Sequence, residues 1–301
     1  MVRNINFVSK FKKANIASIA IFILSILFIS FKGLNYGIDF KGGTLIELRT
    51  EKSIDAPSIR DSLKSMNLGD VNVKKFGKEG DYLIKVEQKN TNNNNLIPKI
   101  KKNLYDNLGA DVDFRRVENV GPKVSAELLE SSIIAISLAL MAMLFYIWVR
   151  FEWQFSLGSI VALFHDVVIT LGIFSLLSLE INLSIIAAVL TIVGYSMNDT
   201  VVIYDRIREN LLKYTKISIS DVSNLSINET LARTIITSVT TLLALVSIYI
   251  LGGEILRGFS FAMILGVLIG TYSSIFVASP ILKFLKVSHK TLEKEEEKIH
   301  P

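Results

Sequence analysis

The chain has 301 residues, half of them hydrophobic, with a formal charge of +5 and no cysteine. Its mean hydropathy of +0.44, with the apolar residues clumped into uncharged blocks, excludes an ordinary soluble protein and marks an integral membrane one. The missing thiols exclude disulfides and thiol chemistry, and the basic residues gather at the ends of apolar runs rather than in a patch for nucleic acid.

The chain opens with Arg3, Lys10, Lys12 and Lys13, followed by an apolar stretch over 14–31. This stretch outlasts the apolar core of a signal peptide, and Ile29-Ser30-Phe31-Lys32 lacks a small-x-small cleavage site. It is expected to stay as an uncleaved first span. Five more runs follow at 131–149, 154–179, 181–204, 230–253 and 258–282. Each is long enough to cross a hydrocarbon layer of about 30 Å as a helix.

Between the first two runs lies a polar segment, 32–130, that reads as a small folded domain. Thr44 to Arg49 alternates like a strand. Asp55 to Met66 reads as a helix, with Asp55 as its cap, Pro57 in its first turn and Ile59, Leu63 and Met66 on one face. Val71-Asn72-Val73 and Tyr82 to Val86 read as strands joined by a turn at Gly77 to Asp81. Leu96 to Leu108 reads as a second helix and Asp111 to Val117 as a last strand. The order is β-α-β-β-α-β, the split βαβ or ferredoxin-like pattern. Gly37-Ile38-Asp39-Phe40-Lys41-Gly42-Gly43 opens the domain; its glycines permit a tight turn, and it is no phosphate loop. Asn92 to Asn95 reads as a solvated loop. Gly121-Pro122 marks a turn, and Lys123 to Glu130 reads as the polar start of the second span. Residues 1–33 thus form the N-terminus and span one, 34–120 the α+β domain, 121–283 spans two to six, and 284–301 a charged tail, expected to extend span six as a frayed helix.

Orientation follows from lysine and arginine in the short loops. Arg150, the group Arg206, Arg208, Lys213 and Lys216, and the tail lysines 283, 286, 290, 294 and 298 all fall on the side of the N-terminus. The opposite turns carry only Glu180, and Glu254 with Arg257. Both termini are expected in the cytoplasm and the α+β domain outside. Asp205 to Asn210 reads as a charged anchor at the cytoplasmic boundary.

Inside the apolar runs, ionisable residues are rare. Asp199 stands in Gly194-Tyr195-Ser196-Met197-Asn198-Asp199-Thr200, about 9 Å from the Asp205 end of span four at helical rise. A carboxylate at such a place costs about 2.5–3.5 kcal/mol on insertion scales. Arg233, early in span five, lies at a similar depth, and Thr237, Thr240 and Thr241 continue its polar face. Two readings follow. Asp199 and Arg233 form a proton relay, since burial and a nearby arginine move a carboxyl's proton affinity in opposite directions; or they form a static ion pair between helices. His165-Asp166 in span three either extends the relay or serves helix packing. Neighbouring residues point in different directions on a helix, which favours packing. Gly266 and Gly270 form a G-xxx-G pair suited to close helix contact. There is no zinc-ligand spacing, no nucleotide motif and no second carboxylate motif of an intramembrane enzyme.

The motifs GIDFKGGT, VGPKVSAEL, HDVVITLG, GYSMNDTVVIYDRIREN and ETLARTIITSVTT, in this order along nearly the whole chain, resemble the SecF family of protein-export membrane proteins. That group sits within the resistance-nodulation-division transporters, whose twelve spans form two six-span halves. The resemblance implies a polytopic α-helical protein of six spans with a small periplasmic domain, set in the bacterial inner membrane. It implies a SecD-like subunit as the other half, a SecYEG-type channel and an unfolded exported polypeptide as partners. It implies that Asp199 and Arg233 belong to a proton pathway with Thr237 nearby; Asn198 and Asp166 are further candidates. The proton gradient would be the drive, with no other cofactor and no covalent chemistry on a substrate. Six spans carrying one relay carboxylate agree independently with half a machine. Two alternatives stay open: a homodimeric proton-driven exporter of lipids or small molecules, and a structural membrane scaffold.

Overall fold

The computed structural model describes residues 5–51, 53–66, 68–75, 77–87, 96–109, 111–289 and 291–292. The asparagine tract at 92–95 and most of the tail lie outside the described residues. The chain divides into a membrane unit, residues 1–35, 135–179 and 184–301, and a second unit, residues 36–134 and 180–183, termed the outer unit after the side on which the loop charges lead it to be expected.

Six helices are long and apolar enough to cross a membrane: span one Val8–Lys32, span two Pro122–Arg150, span three Trp153–Leu176, span four Leu183–Lys213, span five Ile219–Leu251 and span six Ile255–Phe284. Each overlaps one of the apolar runs, and spans two, four and five extend well past theirs into polar sequence. Span five starts at Ser218, whose hydroxyl caps it by accepting from the Asp221 N–H at 3.2 Å. In their most apolar stretches, spans three and six are 56% buried and span four 50%, against 11–17% for the others. Spans three, four and six are therefore the centre of the bundle.

Small residues let these helices approach closely, as expected where lipid supplies no hydrophobic drive between them. In span one, Phe11, Ser18 and Ser25 form the buried stripe at seven-residue steps. A methyl group at Gly172 of span three would overlap Ser25. Gly266 packs against Ile192 of span four and Gly270 against Ser196, so the G-xxx-G pair makes the contact its spacing predicts. Gly158 leaves room for the Tyr204 hydroxyl, which donates to the Ala278 carbonyl at 2.9 Å. Ala278 closes a π-helical turn, Ser274–Ala278, within span six. That span stops at Phe284 rather than fraying onward. Lys286 adopts a φ of 53°, and the N–H groups of Lys286 and Val287 bond back to the carbonyls of Lys283 and Leu282, a Schellman closure.

The charged boundary predicted at Asp205–Asn210 is paired within the chain. Arg150 meets Asp205 at 2.9 Å, Arg208 meets Glu152 at 3.1 Å, and Arg206 meets Glu229 at 2.6 Å. Asn210, buried, donates to Ser226 and Glu229.

The outer unit contains β1 (Gly43–Thr50), α1 (Ala56–Lys64), β2 (Val71–Lys75), β3 (Asp81–Val86), α2 (Leu96–Leu108) and β4 (Val112–Val120). The sheet order is β2-β3-β1-β4, with every neighbouring pair antiparallel. Ile46, Leu48 and Ile84 of the sheet pack with Ile59, Leu63 and Ile100 of the helices in one core. Asp55 occupies the cap position of α1 but its carboxylate makes no capping bond. Pro57 removes one of the two N–H groups that a cap serves, and that of Ser58 is not taken up by the Asp55 side chain. Gly43 has a φ of 138°, and a Cβ there would stand 2.5 Å from the Val86 carbonyl, so this close approach of strands requires glycine.

Opposite each other on β1 and β3, Arg49 grips Asp81 with two bonds of 2.5 and 2.7 Å. The guanidinium holds the Asp81 carboxyl below its ordinary value. A depressed carboxyl stabilises the fold above its unfolded-state value, about 3.9, and loses that contribution as pH falls through the folded value. Asp81→Asn should therefore weaken the outer unit by about 1–2 kcal/mol at pH 7. The difference should close on acidification below about pH 4, read from amide exchange at Leu83 and Ile84 in the full-length protein with and without the substitution.

Candidate functional site

Span four carries a buried face made by Ile192, Ser196, Asp199, Thr200 and Ile203, spaced three and four residues apart. Asp199 is 3% exposed. One side of its carboxylate is reached by the Thr271 hydroxyl of span six; Thr271 in turn shares a 2.8 Å hydrogen bond with Ser238 of span five. The other carboxylate oxygen, Oδ2, is buried with no hydrogen-bond partner in the protein. The same holds for the Tyr195 hydroxyl, one turn away on span four, and for the Thr234 hydroxyl, one turn before Ser238. Each such atom costs about 1–3 kcal/mol if left unbonded. Asp199, Thr271 and Ser238 form a polar seam through spans four, six and five.

The structure does not close the predicted pair. Arg233 is exposed on span five, and no ion pair joins it to Asp199; it acts on that carboxylate only through longer-range attraction. The static ion pair between these two helices is thereby corrected. Thr237 turns back on its own helix, donating to the Arg233 and Thr234 carbonyls at 3.1 and 3.0 Å, and Thr240 is exposed. The stripe facing the bundle is instead Thr230, Thr234 and Ser238, rotated by about 100° from Arg233 because successive residues turn by that angle. Asn198 is likewise exposed, one residue round span four from Asp199. Sequence reasoning missed Thr234, Ser238 and Thr271; the signal for the first two was hydroxyls recurring at four-residue steps from Thr230 in an apolar helix.

His165 and Asp166 make the contacts that the packing reading calls for. Both are buried, and the His165 Nδ1 lies 2.9 Å from the Asp166 carboxylate. The imidazole also stacks parallel to Phe22 of span one. Asp166 is fully buried. Its second oxygen accepts from Ser196 of span four at 2.5 Å and Ser273 of span six at 2.7 Å. One carboxylate thus ties the three central spans. The His165 Nε2 is buried without a partner. Among the described residues no three histidine or acidic side chains are grouped to hold a metal ion.

If Asp166 is this tie, its hydroxyl partners carry stability. Ser196→Ala and Ser273→Ala should each cost about 0.6–1.7 kcal/mol, and the double substitution should cost more than their sum, because either serine alone still serves the shared oxygen and only the loss of both leaves it bare. Unfolding midpoints of the purified protein in detergent measure both.

Comparison with known proteins bears on this geometry. Residues 100–288 match the family described as protein export membrane protein SecD/SecF, C-terminal, and residues 27–54 match the SecD/SecF GG motif. The Protein translocase subunit SecF of Rickettsia bellii is 46% identical over 286 residues, 94% of each chain. That of Cereibacter sphaeroides is 44% identical over 264 residues, 85% of this chain and 81% of its own. Among solved structures, SecDF, a translocon-associated membrane protein from Thermus thermophilus, superposes with a TM-score of 0.84 at 36% identity. The match covers 94% of this chain and 38% of that one.

Proposed function

The chain belongs to the SecF family of protein translocase subunits, and from that premise we propose that it couples the proton gradient to protein export. In this reading it sits in the bacterial inner membrane with both termini in the cytoplasm. Its α+β unit is a periplasmic domain of the ferredoxin-like kind. The observation that carries the proposal is Asp199, buried in the bundle with one carboxylate oxygen unpartnered and the unbonded Tyr195 hydroxyl one turn before it on the same helix. A purely structural carboxylate is saturated, as Asp166 is. An open one is suited to take up and release a proton.

Arg233, Thr237 and Asn198 complete the pathway from the outside of this six-span half. Arg233 and Asn198 are exposed, and Thr237 is half-buried; a polar side chain at membrane depth needs protein or water against it, not lipid. A SecD-like subunit supplies that cover. Movement of Arg233 toward Asp199 would favour the charged carboxylate and movement away the protonated one. Asp166 serves the pathway by fixing Ser196, three residues before Asp199, against span six. The complete complex would act beside a SecYEG-type channel on an unfolded polypeptide, using the gradient as its only cofactor. The drive is about 2.3 kcal/mol per proton per 100 mV, so one proton can change a step by at most about fiftyfold at that potential.

Asp199→Asn tests the proposal in inverted membrane vesicles at matched protein level. Export should fall to the rate seen without a gradient and show no further response to collapsing it. Gradient-dependent export at the wild-type rate would refute the relay and leave a scaffold role.

A further inference from the structure

Residues 5–11, ahead of and into span one, are bound to the polar extension of span five. Asn228 takes both main-chain groups of Ile5: its Oδ1 accepts from the Ile5 N–H and its Nδ2 donates to the Ile5 carbonyl, at 2.8 Å each. Asn224, one turn earlier on span five, accepts from the Phe7 N–H at 2.8 Å. Asn228 also donates to the Asn224 carbonyl at 2.8 Å, which fixes its amide. Two carboxamides thus bind the segment through its backbone, as a neighbouring strand does. Its side chains add a second hold. Phe7 and Phe11 are each 8% exposed and flank Phe276 of span six, with ring centroids 6.1 and 6.2 Å away. Further along span one, Tyr272 of span six donates to the Ala14 carbonyl and pairs with Ser18, at 2.9 Å each. An open cavity of about 400 Å³ lies beside the segment, lined by Asn6, Val8, Ser9, Asp221, Asn224 and Leu225. On that flank hydrogen bonds hold it, not packing.

The position of these bonds round the helix gives them a consequence. At about 100° per residue, Asn224 and Asn228 lie roughly 180° and 140° from Arg233. Ser226 and Glu229 lie within about 40° of Arg233 by the same geometry, and they are tied to span four: Asn210 donates to both, and Arg206 pairs with Glu229. The polar extension of span five is thus held from opposite sides, by span four on one and by the N-terminal segment on the other. A helix gripped on one face alone can roll about that contact; one gripped on two opposite faces cannot. Span five is an unbroken helix from Ile219 to Leu251, so it carries that setting on to Arg233, one turn beyond Glu229. We propose that residues 5–11 are a strap that fixes the rotation of span five, and that Asn224 and Asn228 are positioning residues which set the direction of Arg233. This rests on the reading of Arg233 as a partner of Asp199 in proton coupling. It gives the N-terminal segment a task beyond orienting the chain in the membrane.

Two measurements test the strap. The chain has no cysteine, so spin labels can be placed singly at Val161→Cys of span three and Leu243→Cys of span five, both on exposed positions. They report the distance between these helices in the purified full-length chain. Asn224→Ala with Asn228→Ala should shift and broaden that distance. In vesicles holding this chain with a SecD-like partner and the channel, the same two substitutions should lower gradient-stimulated export to the rate seen without a gradient. Ile5→Cys with Asn228→Cys puts a thiol on each side of the lost bond. It should be unstimulated until a short bifunctional thiol reagent bridges it and stimulated afterwards, in one preparation at one protein level. An unchanged label distance in the double alanine variant overturns the strap. So does full stimulation in that variant, or a bridged pair that stays unstimulated. Asp199→Asn in the same vesicles tests the premise separately: stimulation kept there removes the coupling reading, while the label distances still decide whether the strap fixes span five.

Discussion

A carboxylate inside an apolar bundle must have its oxygens satisfied or its charge removed, and the centre of this protein is arranged round two that meet the demand differently. Asp166 has it met in full, by an imidazole and two serine hydroxyls from three different helices. Moving any of the three central spans by a turn would strip a donor from a fully buried charge. Asp199 has it met by half. Three residues separate Ser196, bound to Asp166, from Asp199 on the same face of span four, so the saturated group holds the unsaturated one in place. Stability and availability are thus divided between two neighbouring acids.

The spans and the order of elements in the outer unit were legible because each rests on a strong local signal. An uncharged run of membrane length has few other readings. Strand alternation, amphipathic helices and glycine turns followed each other with no conflict. Which side of span five faces inward was not legible. In a membrane helix apolar residues serve both lipid and protein, so the periodicity that orients a soluble helix is absent, and Arg233 drew the eye to the wrong face. Thr234 and Ser238 carry no charge and look ordinary in sequence. The contact between His165 and Asp166 depends on side-chain conformation, which helical spacing does not encode.

The GIDFKGG stretch shows how a weak motif gains meaning from structure. As a string it says only that the backbone turns tightly. In the fold its parts have separate tasks: Gly37 yields space to Glu180, Asp39 caps span four, and Gly43 lets β1 approach the Val86 carbonyl. None of these partners is near it in sequence, so no local reading could have assigned them.

The π turn at Ser274–Ala278 has a wider consequence. A π turn is the geometry of a helix that has absorbed one additional residue, and it shifts everything beyond it by about 100° relative to an unbroken helix. Span six therefore has two independent phases. The first, through Gly266, Gly270 and Ser273, is set against spans four and three; the second, through Leu282, belongs to the apolar cluster that holds Ile207 and Leu211. The carbonyls released at the junction are taken up by Tyr204 and by Ser279, at 2.9 Å each. Such a joint lets the two halves of one helix drift apart in evolution, each refining its own neighbours, while the chain between them stays continuous.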